Sequence, residues 1–99
     1  MAGQLALVTG ASSGIGEAIA RRLAGDGANL VLWARREERL ARLAEEIAAR
    51  TRVTVDIGVV DVRDHGAVRG EANRLIAALG APDILVNNAG LAAGMALVH

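Results

Sequence analysis

Apolar and polar positions alternate between two patterns along the chain. Leu5 to Thr9 is a short apolar run without alternation, the pattern of a strand buried on both faces. After the turn Gly10 to Gly16, Ile15, Ile19 and Leu23 recur at intervals of four, which predicts one face of a helix. Gly25 and Gly27 then end that helix.

Leu30 to Trp33 reads as a second buried strand, and Leu40, Leu43 and Ile47 as the stripe of a second helix. On its outer side Glu38 stands four before Arg42 and Glu46 four before Arg50, pairs worth about 0.2–0.5 kcal/mol each. Val53 to Val62 reads as a third strand. Its alternation of Thr54 and Asp56 with Val53, Val55 and Ile57 predicts a partly solvated edge.

Asp64 is placed to cap a third helix carrying Val68, Ala72, Leu75 and Leu79, although Gly66 and Gly70 weaken it by roughly 0.5–1 kcal/mol each. Gly80 and Pro82 close it, and Ile84 to Val86 forms a fourth strand leading into Asn87-Asn88-Ala89-Gly90. Strands alternating with helices through short connections require parallel pairing by right-handed crossovers. The expected fold is α/β, a Rossmann-type doubly wound sheet of order 3-2-1-4, with its ligand crevice at the carboxyl ends of strands one and four.

Composition narrows the function. The chain has 99 residues, enough for one domain at most. Trp33 is its only aromatic residue, so the core is built from Val, Leu, Ile and Ala. The 11 basic residues, all arginine, balance 11 acidic ones and are scattered, which argues against nucleic acid or an anionic membrane and for a small-molecule partner. Without cysteine there is neither a disulfide framework nor a thiolate metal site. Leu5 to Val8 is too short for a signal-peptide core, and Ile84 to Val98 is too short and too interrupted for a membrane span. A soluble, cytoplasmic chain is expected.

Chemistry concentrates in Thr9-Gly10-Ala11-Ser12-Ser13-Gly14-Ile15-Gly16, where a strand becomes a helix. Backbone N–H groups and the positive end of the helix dipole converge there, which suits a pyrophosphate. Gly10 is expected to turn tightly, Gly14 to let phosphates approach, and Gly16 to let the helix pack closely on the sheet. No Lys followed by Ser or Thr is present in this loop to serve a terminal nucleotide phosphate, which disfavours an ATP site.

This segment resembles the cofactor motif of the short-chain dehydrogenase/reductase family, and Asn87-Asn88-Ala89-Gly90 resembles that family's second motif. The similarity includes Asp61-Val62 and spans essentially the whole chain, matching the first part of a full-length member. It implies a nicotinamide dinucleotide as partner, held by Gly10, Ser12, Ser13, Gly14, Ile15 and Gly16, with Asp61 and Val62 on the adenine. Asn88, Ala89 and Gly90 would also touch cofactor, and Asn87 would brace the sheet.

An NAD site usually carries an acidic residue about twenty positions beyond the glycine loop. Here Ala34 stands there, followed by Arg35 and Arg36, whose guanidinium groups suit the 2′-phosphate of NADP. NADP is therefore expected over NAD, with Ser12 adding a hydroxyl as in similar enzymes.

The family's proton donor, a Tyr and Lys pair with Ser and Asn, is absent: the chain has no Tyr and no Lys, and its two serines lie in the glycine loop. His65 and His99 fit surface roles better than catalytic ones. Residues 1–99 are thus expected to form the cofactor-binding half of an oxidoreductase truncated after the fourth strand, inactive alone and prone to pair through that strand's open edge. The rival reading is a non-catalytic dinucleotide sensor or partner-binding module.

Overall fold

The computed structural model describes residues 3–88. Along them run β1 (Leu5–Thr9), α1 (Gly14–Gly25), β2 (Asn29–Ala34), α2 (Glu37–Arg50), β3 (Val55–Val59), α3 (His65–Leu79) and β4 (Ile84–Asn87). Every strand pairing is parallel and the sheet order is β3-β2-β1-β4, the doubly wound arrangement expected from the alternation. Among the described residues β3 and β4 are the edges.

The unbroken apolar runs follow from two-sided burial, because successive strand residues face opposite sides of the sheet. Ala6, Val8, Leu30, Leu32 and Ala34 pack with Leu23, Leu40, Leu43 and Ile47 of α1 and α2. Leu7, Val31 and Trp33 point the other way and pack with Val60 and with Leu75 of α3. Complete burial of each leucine contributes about 1.5–3 kcal/mol. Asp56, on the α3 side of the edge strand, is met by Arg74 Nη2 at 3.1 Å.

Local signals set the element ends. Ser13 caps α1 by accepting from Gly16 N, and Asp64 caps α3 by accepting from Ala67 N at 3.1 Å. Gly27, at φ 95°, and Gly80, at φ 87°, leave α1 and α3 in a backbone region that side chains disfavour. Asp83 fixes the outer end of the sheet, accepting from Leu5 N at 2.9 Å and donating its own N–H to Leu5 O at 2.8 Å.

Four expectations need correction. β3 covers Val55–Val59 rather than 53–62: Val53 packs on the core outside the strand, and Val60 is buried just after it. Ile15 is 68% exposed, not part of the α1 stripe, because the first turn of that helix stands beyond the strand ends. Leu79 is 43% exposed, since a helical period marks a face but not how far the sheet beneath it extends. Glu46 pairs with Arg21 of α1 instead of Arg50, and Glu38 is in no ion pair with Arg42.

Candidate functional site

The turn after β1 is held by one carbonyl. Gly10, at φ 63°, swings its C=O to where it accepts from Ser13 N at 3.1 Å, Ser13 Oγ at 2.9 Å and Asn88 Nδ2 at 3.2 Å. Ser13 Oγ donates its single proton there and accepts from Gly16 N at 3.2 Å and Asn88 Nδ2 at 2.8 Å. All its hydrogen-bonding capacity is used within the protein. Ala11 N donates to Trp33 O at 3.1 Å, which ties the turn to the end of β2.

The glycines divide the work differently from expectation. A Cβ on Gly16 would lie 2.2 Å from Gly10 O and 2.8 Å from Asn88 Nδ2, so its bareness serves the turn and the β4 end rather than the sheet. A Cβ on Gly14 would meet nothing within 4 Å, so none of the described residues fills that side of the turn. Below, buried Thr9 places Oγ1 3.3 Å from Val86 O and 3.2 Å from Asn87 Oδ1, bracing β1 against β4.

A cavity of 420 Å³ opens at the carboxyl ends of the strands. Of the expected site residues, Gly10, Ser12, Ser13, Arg35, Arg36, Asp61, Val62 and Asn88 line it. Gly14, Ile15 and Gly16 lie in the adjoining turn and first turn of α1, outside its lining. Ala89 and Gly90 lie outside the described residues. Sequence reasoning missed Trp33, Val60 and Arg63, which also line it. The signal for Arg63 was its position two residues after Asp61, within reach of that carboxylate.

Electrostatically the cavity favours an anion, with Arg35, Arg36 and Arg63 against a single carboxylate, Asp61. Arg63 is committed: its Nε and N–H reach Asp61 Oδ1 at 3.1 and 2.9 Å, and Nη2 reaches Oδ2 at 3.0 Å. These bonds, with a smaller contribution from Arg35, hold the Asp61 carboxyl at about 2, below its ordinary 3.8. Arg35 and Arg36 are exposed and form no ion pair among the described residues. Arg36 is also the N-cap of α2 and makes no side-chain capping bond, unlike Ser13 and Asp64.

Trp33, one of the lining residues, is packed on the α3 side of the sheet. The residue is 1% exposed, and Nε1 has no hydrogen-bond partner among the described residues. The ring fits because Gly58 opposite it lacks a Cβ, which would stand 2.9 Å from Cδ1 and Nε1. No group of His, Cys, Asp and Glu able to hold a metal occurs among the described residues. No helix there is long and apolar enough to cross a membrane.

A doubly wound parallel sheet with a glycine turn and an arginine-lined cavity at its carboxyl edge defines the nucleotide-binding α/β class. Within that class the sequence profile of the short chain dehydrogenases matches residues 4–98, and the chain belongs to that oxidoreductase family. Sulfoacetaldehyde reductase 2 of Chromohalobacter salexigens is 51% identical over 88 residues, covering 89% of this chain and 34% of the relative. An NADP-dependent 3-hydroxy acid dehydrogenase of Shigella flexneri is 41% identical over 95 residues, covering 96% of this chain and 37% of the relative.

Among solved structures, L-sorbose reductase of Gluconobacter frateurii, complexed with NADPH and L-sorbose, superposes with a TM-score of 0.86 at 38% identity. The match covers 97% of this chain and 36% of that one. A metagenomic short-chain oxidoreductase in complex with NADP gives 0.85 at 44% identity, over 92% of this chain and 41% of its own. The chain thus spans little more than a third of the length of these relatives.

Proposed function

We propose that residues 1–99 are the NADP(H)-binding half of a short-chain dehydrogenase/reductase that moves a hydride between cofactor and an alcohol or carbonyl substrate. The observation that carries the preference for NADP is the pair Arg35 and Arg36, without an ion-pair partner among the described residues, on the cavity where an NAD site would present an acid. A reductase solved with NADPH and an oxidoreductase solved with NADP, both of similar fold, support the reading.

In this reading the turn built by Gly10, Ser12, Ser13, Gly14, Ile15 and Gly16 receives the diphosphate on the open side of Gly14, with the N–H groups of Ala11, Ser13 and Gly16 spent on shaping it. Ser12, Arg35 and Arg36 hold the 2′-phosphate, and Arg36 suits that place because α2 lacks a capping side chain. Asp61 and Val62 meet the adenine, and Asn88, Ala89 and Gly90 the adenosine side, with the Asn88 amide also fixing the turn. When bound, the nicotinamide supplies or accepts the hydride. No Tyr or Lys is present, so the proton is handled by residues outside 1–99. β4, an edge of the sheet among the described residues, is where a further strand pairs, from the same polypeptide or a second chain. A cytoplasmic setting accords with the lack of cysteine.

The test is titration of NADPH and NADH against the wild-type protein and Arg35→Ala. The reading expects NADPH to bind more tightly than NADH, and the substitution to weaken NADPH by about tenfold while leaving NADH nearly unchanged. Equal affinity for both cofactors in both proteins would refute it.

A further inference from the structure

A second cavity, of 390 Å³, lies between α1 and α2 and shares Ser12 with the first, so the two meet at that residue. Its charged lining is Glu17, Arg21, Arg39, Arg42 and Glu46. Both glutamates are committed to one arginine: Arg21 reaches Glu17 at 2.9 Å and bridges to Glu46 on the neighbouring helix. Hydrogen bonding to Arg21 holds the Glu46 carboxyl below the ordinary carboxylate range, and the two glutamates raise Arg21 in turn. That leaves Arg39 and Arg42 without an ion-pair partner among the described residues.

Arg39 stands in the first turn of α2, three residues after Arg36 and four after Arg35. Ser12 therefore has Arg35 and Arg36 in the cavity on one side of it and Arg39 in the cavity on the other. Exposed cations grouped this way repel one another until an anion is supplied. A phosphomonoester carries up to two negative charges and three acceptor oxygens, more than one guanidinium can satisfy.

We infer that Arg39 is a further specificity-determining residue, a third guanidinium on a phosphomonoester seated at Ser12. The inference rests on the NADP reading above, in which that group is the 2′-phosphate. Arg42 lies a helical turn further on and is not part of it. The Glu17–Arg21–Glu46 bridge serves the same end, since it occupies the carboxylates that would otherwise neutralise Arg39 and fixes α1 against α2.

The experiment is calorimetric titration of 2′,5′-ADP and 5′-ADP into wild type, Arg39→Met and Arg69→Met, at low and high salt. Arg69 is exposed on α3, across the sheet, and controls for net charge. Arg39→Met is expected to weaken 2′,5′-ADP by about fivefold and to leave 5′-ADP within about twofold, with the loss shrinking at high salt. Arg69→Met is expected to change neither. An Arg39→Met protein that binds 2′,5′-ADP like wild type, or loses both ligands equally, overturns the inference while the NADP reading stands. A wild type that fails to prefer 2′,5′-ADP over 5′-ADP overturns both.

Discussion

Asn88 Nδ2 lies 2.8 Å from Ser13 Oγ, so the residue just after β4 holds the N-cap of α1. The same amide reaches Gly10 O at 3.2 Å, which makes the shape of the glycine turn depend on a residue 78 positions away. The turn is thereby set before any ligand arrives, and little ordering remains to be done on binding.

Removing that amide tests the coupling. Asn88→Ala is expected to lower stability by about 1–2 kcal/mol, measured by urea unfolding, because it strips a part-buried bond from Gly10 O and a second from Ser13 Oγ. NADPH affinity should fall with it. Unchanged affinity in a destabilised protein would mean that the turn keeps its shape without Asn88.

The glycines of the turn should separate fold from binding. Gly16→Ala puts a methyl 2.2 Å from a backbone oxygen and is expected to cost about 3 kcal/mol or more. Gly14→Ala meets open space, so it should leave stability equal or raise it by up to about 1 kcal/mol. It should nevertheless weaken NADPH by about tenfold or more, since the methyl takes the space assigned to the diphosphate. A Gly14→Ala protein that binds NADPH like wild type would place the diphosphate elsewhere.

Asp61 gives a pH signature. Its carboxyl titrates at about 2 in the folded protein against an ordinary 3.8, so the pairing with Arg63 stabilises the fold above that ordinary value. The contribution is lost as pH falls through the interval from 3.8 to about 2. Carboxyl-carbon NMR titration should show Asp61 returning toward its ordinary value in Arg63→Met. A titration that does not move would show that Arg63 is not the cause.

Gly58 and Trp33 are predicted to be coupled. Gly58→Ala brings a methyl to 2.9 Å from the indole and 2.6 Å from Glu71 Oε2, at an expected cost of about 1–3 kcal/mol. Combining it with Trp33→Phe, which also removes the unpartnered Nε1, should recover part of that loss in a double-mutant cycle followed by urea unfolding. Strict additivity would contradict the packing.

Much of this was legible in the chain. The apolar runs at Leu5 and Leu30 and the helical stripe at Leu40, Leu43 and Ile47 sufficed for the sheet order, because two-sided burial and right-handed crossovers leave few alternatives. The capping role of Asp64 was legible too, since a short acidic side chain ahead of a helical period has one common use. What periodicity could not supply was the extent of each surface. Ile15 and Leu79 keep the helical spacing but stand uncovered, and Val60 is buried after its strand has ended. Ion pairs across elements were equally hidden, as Arg21 to Glu46 spans two helices that only the fold brings together. At the cavity, a lining by Gly10, Ser12, Ser13, Arg35 and Arg36 was foreseeable from residue type and spacing, whereas the packing of Trp33 against Gly58 required the register of β2 on β3.

The cofactor reading requires the turn from Gly10 to Gly16 to grip a dinucleotide diphosphate. Mapping backbone amide shifts by NMR during an NADPH titration tests it most directly. Saturable shifts are expected, centred on Gly10 through Gly16, with Arg35, Arg36 and Asn88 following. Shifts confined to other surfaces, or none at millimolar NADPH in a folded protein, would contradict it.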